Sequence, residues 1–186
     1  IDTNNEFSKK EIKSSKLLKF SNYKNDLSEC NFYIVTLPTP INSSKKPNLN
    51  FIKNACILVS KFLTKNNFVI FESTFYPGLT EEYCIPLITK HSNLTINKDF
   101  YCGYSPERIN PGDKINTLQN VIKITSGSNK YSAKIIDSLY NSILNKGTYL
   151  APNIKVAEAA KVIENAQRDI NIAYMNELSQ IFNKLN

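Results

Sequence analysis

Histidine occurs once, at His91, and tryptophan not at all. The four cysteines, Cys30, Cys56, Cys84 and Cys102, show neither a C-x-x-C pair nor Cys/His spacing, which argues against a zinc site. Apolar runs are short, and none reaches the roughly 18 residues that a membrane-spanning helix needs. No signal peptide is visible either, so no membrane partner is expected, and free thiols among apolar residues fit a reducing, cytoplasmic compartment. Arginine is scarce, 2 residues against 21 lysines, and the net charge of +7 contains no block of five like charges. Nucleic-acid binders gather Arg and Lys with aromatics on one face, so this dispersion speaks against a nucleic-acid partner. A general attraction for anionic ligands such as phosphates is what the charge supports.

The chain has 186 residues, 41% hydrophobic and 21% charged, which is ordinary globular usage. That length builds one full domain with an appendage. The chain opens on Ile1 and stops inside a helical pattern at Asn186, so a fragment of a longer protein is expected. After a polar start with a short helix near Lys9–Ser14 and a hint of a strand at 17–20, strands are predicted at Phe32–Leu37, Phe68–Phe71, Phe100–Tyr104, Val121–Thr125 and Thr148–Leu150. Helices are predicted from an Asn48 cap, from the acidic turn at Glu81 and Glu82 to about Lys90, and over about Lys130–Leu144. Strands apolar on both faces, alternating with helices, indicate an α/β fold with a parallel sheet covered by helices on both faces. From Ile154 the pattern becomes one long helix without Gly or Pro, near ~45 Å at 1.5 Å per residue, too long for a crossover and suited to linking domains or subunits.

In parallel sheets ligands bind at the carboxyl edge of the strands, where loops and helix N-termini converge. Three polar clusters are predicted there: Thr36-Leu37-Pro38-Thr39, Glu72-Ser73-Thr74, and Ser105-Pro106-Glu107-Arg108. Lys161 and Asn165 stand four apart on the long helix, so an ammonium and an amide share one face. Taken singly, the hydroxyls serve equally as turn residues and caps, Glu107 and Arg108 as a solvated pair, and Glu164 with Arg168 as a stabilising helix pair.

Together, Phe32-Tyr-Ile-Val-Thr-Leu-Pro-Thr-Pro40, Glu72-Ser-Thr-Phe-Tyr-Pro-Gly78, Tyr104-Ser-Pro-Glu-Arg-Ile-Asn-Pro-Gly-Asp113 and Glu158-Ala-Ala-Lys-Val-Ile-Glu-Asn-Ala-Gln-Arg-Asp169 resemble, in order, the nucleotide-sugar 6-dehydrogenases of the UDP-glucose/GDP-mannose dehydrogenase family. Asp2-Thr3-Asn4-Asn5-Glu6 is similar to the loop after that family's second helix. The last two motifs are most similar to the branch acting on UDP-N-acetylglucosamine or UDP-N-acetylgalactosamine in polysaccharide biosynthesis. The resemblance implies oxidation of the sugar C6 alcohol to a carboxylate with two NAD in succession, through a cysteine-bound intermediate.

By matching position, the resemblance implies that Thr36, Leu37, Pro38 and Thr39 line NAD and that Ser73 and Thr74 close over its nicotinamide side. It assigns Thr74 and Glu107 to the hydrolytic water, Glu107 as base, and Lys161 and Asn165 to the oxyanion at C6, with Lys161 moving its proton. Arg108 and Arg168 join Glu107, Lys161 and Asn165 as substrate contacts. It further implies a Rossmann-like domain over residues 1–150 without its first βαβ unit, a central helix starting in 151–186, and a homodimer through that helix. The family's G-x-G-x-x-G loop is absent, as is its Gly-flanked cysteine; Cys102, near the loop of Glu107, is the one substitute to weigh. This piece alone is therefore expected to be inactive. A non-catalytic nucleotide-binding or interaction module on the same scaffold, and a basic nucleic-acid-binding domain, stay open as other readings.

Overall fold

The computed structural model describes residues 8–107 and 118–185. Arg108 through Asp113 and the Asp2–Glu6 motif lie outside the described residues. The first described element is a short helix, α1 (Lys9–Ser14), under a Ser8 capping box, and the 17–20 segment forms no strand: Leu17 and Phe20 stand exposed. Then follow β1 (Phe32–Val35), α2 (Asn50–Ser60), β2 (Asn67–Phe71), a π-helical turn at Thr80–Cys84 running into α3 (Ile85–Ser92), β3 (Phe100–Tyr104), β4 (Lys123–Thr125), α4 (Lys130–Asn141), β5 (Thr148–Leu150) and α5 (Ile154–Leu185).

The parallel pairing expected from the apolar runs is present, in the order β1-β2-β3, with a second parallel pair β4-β5. The two pairings are separate sheets rather than one continuous sheet, joined by an isolated bridge between Gly103 and Gly127. The bridge needs both glycines: a Cβ on Gly103 would sit 2.3 Å from Ile136 Cδ1, and one on Gly127 would sit 2.3 Å from the Ala133 nitrogen.

β2 is buried along its whole length. Its side chains alternate between two cores, as a strand period of two requires. Val69 and Phe71 pack with Ile52, Cys56 and Val59 of α2 and Ile85 and Ile88 of α3. Phe68 and Ile70 pack on the other face with Ile136 and Tyr140 of α4. Burying one such side chain contributes about 1.5–3 kcal/mol. β1 departs from the expectation of two apolar, covered faces: Tyr33 and Val35 are buried, while Phe32 and Ile34 are 36% and 46% exposed. α4 reaches over β2 and β3, and Phe32 extends that face only by stacking on Phe68.

Two helix starts differ from expectation. Leu49, not Asn48, occupies the cap position of α2; Asn48 still accepts the Asn50 N–H at 3.1 Å, so its carboxamide serves the helix from one residue further out. The acidic residues Glu81 and Glu82 sit in the π-helical turn, and the regular helix begins only at Ile85. On α5 full burial is confined to Ile154, Ala157 and Glu158, and the apolar positions from Ile163 onward are exposed except for half-buried Leu178.

Candidate active site

Register brings the three polar loops to one rim. Val35 pairs with Phe71 and Phe71 with Tyr104, so β1, β2 and β3 end level. Thr36, Glu72 and Ser105 therefore begin neighbouring loops about 4.8 Å apart per strand. The loops are then laced together. Thr39 Oγ1 donates to the Thr74 carbonyl at 2.8 Å, Tyr104 Oη donates to the Ser73 carbonyl at 3.0 Å, and the Ser105 N–H donates to the Phe71 carbonyl at 2.9 Å. Phe75 is buried against Phe71 and Tyr104, which fixes the loop after β2 and leaves Thr74 exposed between buried Ser73 and Phe75.

Thr36, Leu37 and Pro38 form an exposed shelf, with Thr39 half-buried. Leu37 also lines a shallow, mainly apolar cleft of about 480 Å³ with Lys24, Phe51, Ala55 and Leu58. Ser73 Oγ is buried and has no hydrogen-bond partner among the described residues. A buried hydroxyl without a partner costs free energy unless a ligand satisfies it. Ser73 adjoins Thr74, whose carbonyl Thr39 holds, so a polar ligand group entering between these two loops would supply the partner that this hydroxyl lacks. Glu107 is exposed beyond buried Ser105 and Pro106.

The start of α5 is anchored beside the same rim. Glu158 is fully buried and accepts three bonds: from the Gly78 N–H at 2.6 Å, the Thr80 N–H at 2.9 Å and the Thr80 hydroxyl at 2.7 Å. Burial raises its carboxyl above the ordinary 4.5, against the lowering effect of those bonds. Gly78 holds a φ of +98°, which glycine adopts freely, and this turns the Pro77-Gly78 corner so that its N–H meets the carboxylate. Ile154 and Ala157 join the core that includes Tyr104.

Lys161 and Asn165 follow Glu158 at i+3 and i+7, so all three share one helix face. Lys161 is half-buried and Asn165 exposed; among the described residues neither bonds to the rim loops. Arg168 bonds Glu164 at 2.9 Å, the i,i+4 pair its spacing predicts. Arg108 lies outside the described residues. The structure thus gathers Thr36–Thr39, Ser73, Thr74 and Glu107 on one rim, and sets Lys161 and Asn165 one and two turns along from the clamp beside it.

Cys102 does not fit a nucleophile. It is buried in β3, and loss of water raises its thiol well above the ordinary 9.0. Beneath the rim, Glu72 is joined by two residues that the motifs do not include: Tyr140 Oη donates to the Glu72 carboxylate, and Lys123 Nζ sits 3.6 Å from that carboxylate. Glu158 likewise received no role on its own. Its place in a helical Ala run, three residues before Lys161, is the sequence signal that points to it.

Comparison with known proteins matches residues 4–144 to the UDP-glucose/GDP-mannose dehydrogenase family, NAD binding domain, and residues 155–186 to the central domain of that family. The chain is 53% identical over 186 residues to a UDP-N-acetyl-D-glucosamine 6-dehydrogenase of Salmonella typhi and 51% identical over 185 residues to one of Pseudomonas aeruginosa; each alignment covers 100% of this chain and 44% of the relative. The chain therefore spans less than half the length of these curated relatives. A solved UDP-D-ManNAc dehydrogenase from Pyrococcus horikoshii superposes with a TM-score of 0.79 at 32% identity, covering 84% of this chain and 37% of the other. With most of its length matched by the family's NAD-binding domain, this chain belongs to the UDP-glucose/GDP-mannose dehydrogenase family.

Proposed function

We propose that the chain is a segment of a cytoplasmic nucleotide-sugar 6-dehydrogenase that oxidises the C6 alcohol of a UDP-N-acetylhexosamine to the uronic acid for polysaccharide biosynthesis. Residues 1–150 are then the distal part of its NAD-binding domain, and residues 151–186 begin the central helix through which two copies pair. One observation carries this reading: Glu158 pins α5 beside the loop of Thr74, and Lys161 and Asn165 continue along that same helix face. Identity above 50% to two UDP-N-acetyl-D-glucosamine 6-dehydrogenases supports the choice of sugar class.

Thr36, Leu37, Pro38 and Thr39 would hold NAD along the exposed shelf, with Ser73 and Thr74 against its nicotinamide side; when bound, NAD supplies the hydride acceptor. Ser73 is suited to this because its buried hydroxyl has no protein partner among the described residues. Negative charge concentrates on the C6 oxygen as its proton leaves for Lys161, ahead of hydride transfer, and the resulting Lys161 ammonium and the Asn165 carboxamide lower the barrier by donating to that oxygen. Lys161 takes and returns the hydroxyl proton. Thr74 and Glu107 orient the water of the hydrolytic half, Glu107 as base. By the family resemblance, Arg108 and Arg168 contact the substrate as well.

The test is a full-length assay. Purified dehydrogenase carrying this segment, offered a panel of UDP-sugars while NADH is followed, should reduce NAD⁺ with UDP-N-acetylhexosamines in preference to UDP-glucose. Nucleotide binding without NADH formation on any sugar would return the chain to a non-catalytic nucleotide-binding module.

A further inference from the structure

We propose that Lys123 is a positioning residue for this reaction: its buried ammonium is shared between the Glu72 carboxylate and the Pro106 carbonyl, and so holds the Ser73–Thr74 and Pro106–Glu107 loops in fixed register. The inference rests on the dehydrogenase reading above and adds a residue to it.

Lys123 lies on β4 with its side chain 2% exposed. A buried ammonium is retained only where other groups replace its water. Three groups do so here: the Glu72 carboxylate at 3.6 Å, the Pro106 carbonyl at 3.4 Å, and the face of Tyr140, whose ring centroid is 5.2 Å away. Tyr140 Oη donates in turn to Glu72, so the carboxylate is held from two sides.

What makes the cluster more than a buried pair is where its two acceptors sit. Glu72 immediately precedes Ser73 and Thr74 in the loop after β2. Pro106 immediately precedes Glu107 in the loop after β3. Other bonds tie these loops to single neighbours: Ser105 Oγ reaches the Ile124 carbonyl at 2.7 Å, and Ser126 Oγ reaches the Tyr104 carbonyl at 2.7 Å. Lys123 Nζ bridges both loops from beneath with one charge. The Glu107 carboxylate lies near enough to the cluster that its charge, after burial and Glu72, helps raise the Tyr140 hydroxyl. A hydrolytic step in which Thr74 and Glu107 share one water depends on the separation of those two loops.

The experiment uses the full-length dehydrogenase. Lys123→Met alone strands the Glu72 charge, so it is paired with Glu72→Gln, which removes both charges and keeps an acceptor for Tyr140. Folding is read by thermal melting, and turnover by NADH formed from NAD⁺ with UDP-N-acetylglucosamine as substrate. The double variant should fold and keep KM within a few-fold, while kcat falls by about 10- to 100-fold, the range expected when reacting groups are displaced by about an ångström. Lys123→Arg, which restores a donor and a charge, should recover most of that loss. A double variant that turns over at the wild-type rate, or that does not fold, overturns the proposal, the second by assigning the pair to stability alone. A wild-type enzyme inactive on every UDP-sugar would instead overturn the reading beneath it.

Discussion

Glu158, on the first turns of the long helix, takes both the backbone N–H of Thr80 at 2.9 Å and its hydroxyl at 2.7 Å. With the Gly78 N–H as a third donor, one buried carboxylate clamps the helix that carries Lys161 and Asn165 to the corner that ends the Thr74 loop. The nearby Lys155–Glu82 bridge, at 2.7 Å, spans the same junction but is exposed on both sides. Exposed pairs contribute little, so the clamp dominates the junction.

Glu158→Ala should therefore destabilise the protein by more than about 2 kcal/mol, because it leaves buried donors on Gly78 and Thr80 without acceptors. Urea denaturation compared with wild type measures the loss. A change within experimental error would mean that the helix start is held by Ile154 and Ala157 alone.

The same carboxyl gives a pH signature. Its folded value is raised above the ordinary 4.5, chiefly by burial. The folded state therefore binds the proton more tightly than the unfolded chain. Its contribution is fully present below 4.5 and is lost as pH rises through the elevated value. Glu158→Gln has no such proton, so the stability difference between wild type and this variant should narrow as pH climbs through that window and then level off. Thermal melts of both proteins over a pH series would show it, and parallel curves would contradict it.

Gly103→Ala tests the joint between the two sheets. The added methyl meets Ile136 Cδ1 at 2.3 Å and the Ser126 carbonyl oxygen at 2.5 Å. Of these, the backbone carbonyl is the harder to move. The expected loss is about 1–3 kcal/mol, the usual cost of overpacking. Thermal melting reads it, and an unchanged midpoint would show that the bridge to Gly127 yields freely.

If Lys161 acts as proposed, on charge that develops only in the transition state, Lys161→Ala in the full-length enzyme should lower kcat far more than it raises KM. Steady-state kinetics with UDP-N-acetylglucosamine measures the split. An unchanged kcat would remove Lys161 from the chemistry.

Much of the fold was legible because the core strands are continuous apolar runs. Phe100–Tyr104, Thr148–Leu150 and the start of α5 at Ile154 fall where the pattern places them. The exposed faces of β1 and α5 were not legible, since an apolar residue such as Ile34 or Ile163 carries no mark of whether a neighbour covers it. The rim was legible once the strands were, because parallel register fixes which ends lie side by side. Glu158 and Lys123 were not, because a charged residue in a helix or strand pattern reads as solvent-facing. Their burial depends on partners far away in the chain, Gly78 lying eighty residues before Glu158.

The most direct measurement is rapid-mixing kinetics on the Glu107→Gln enzyme with UDP-N-acetylglucosamine and NAD⁺. On the proposed reading Glu107 is the base that activates water, so its removal should leave both hydride transfers intact and stall the release of product. A fast burst of NADH equal to about two per active site, followed by slow turnover and a trappable covalent sugar adduct, is the expected result. Steady turnover at the wild-type rate with no burst would contradict the placing of Glu107 in the hydrolytic half of the reaction.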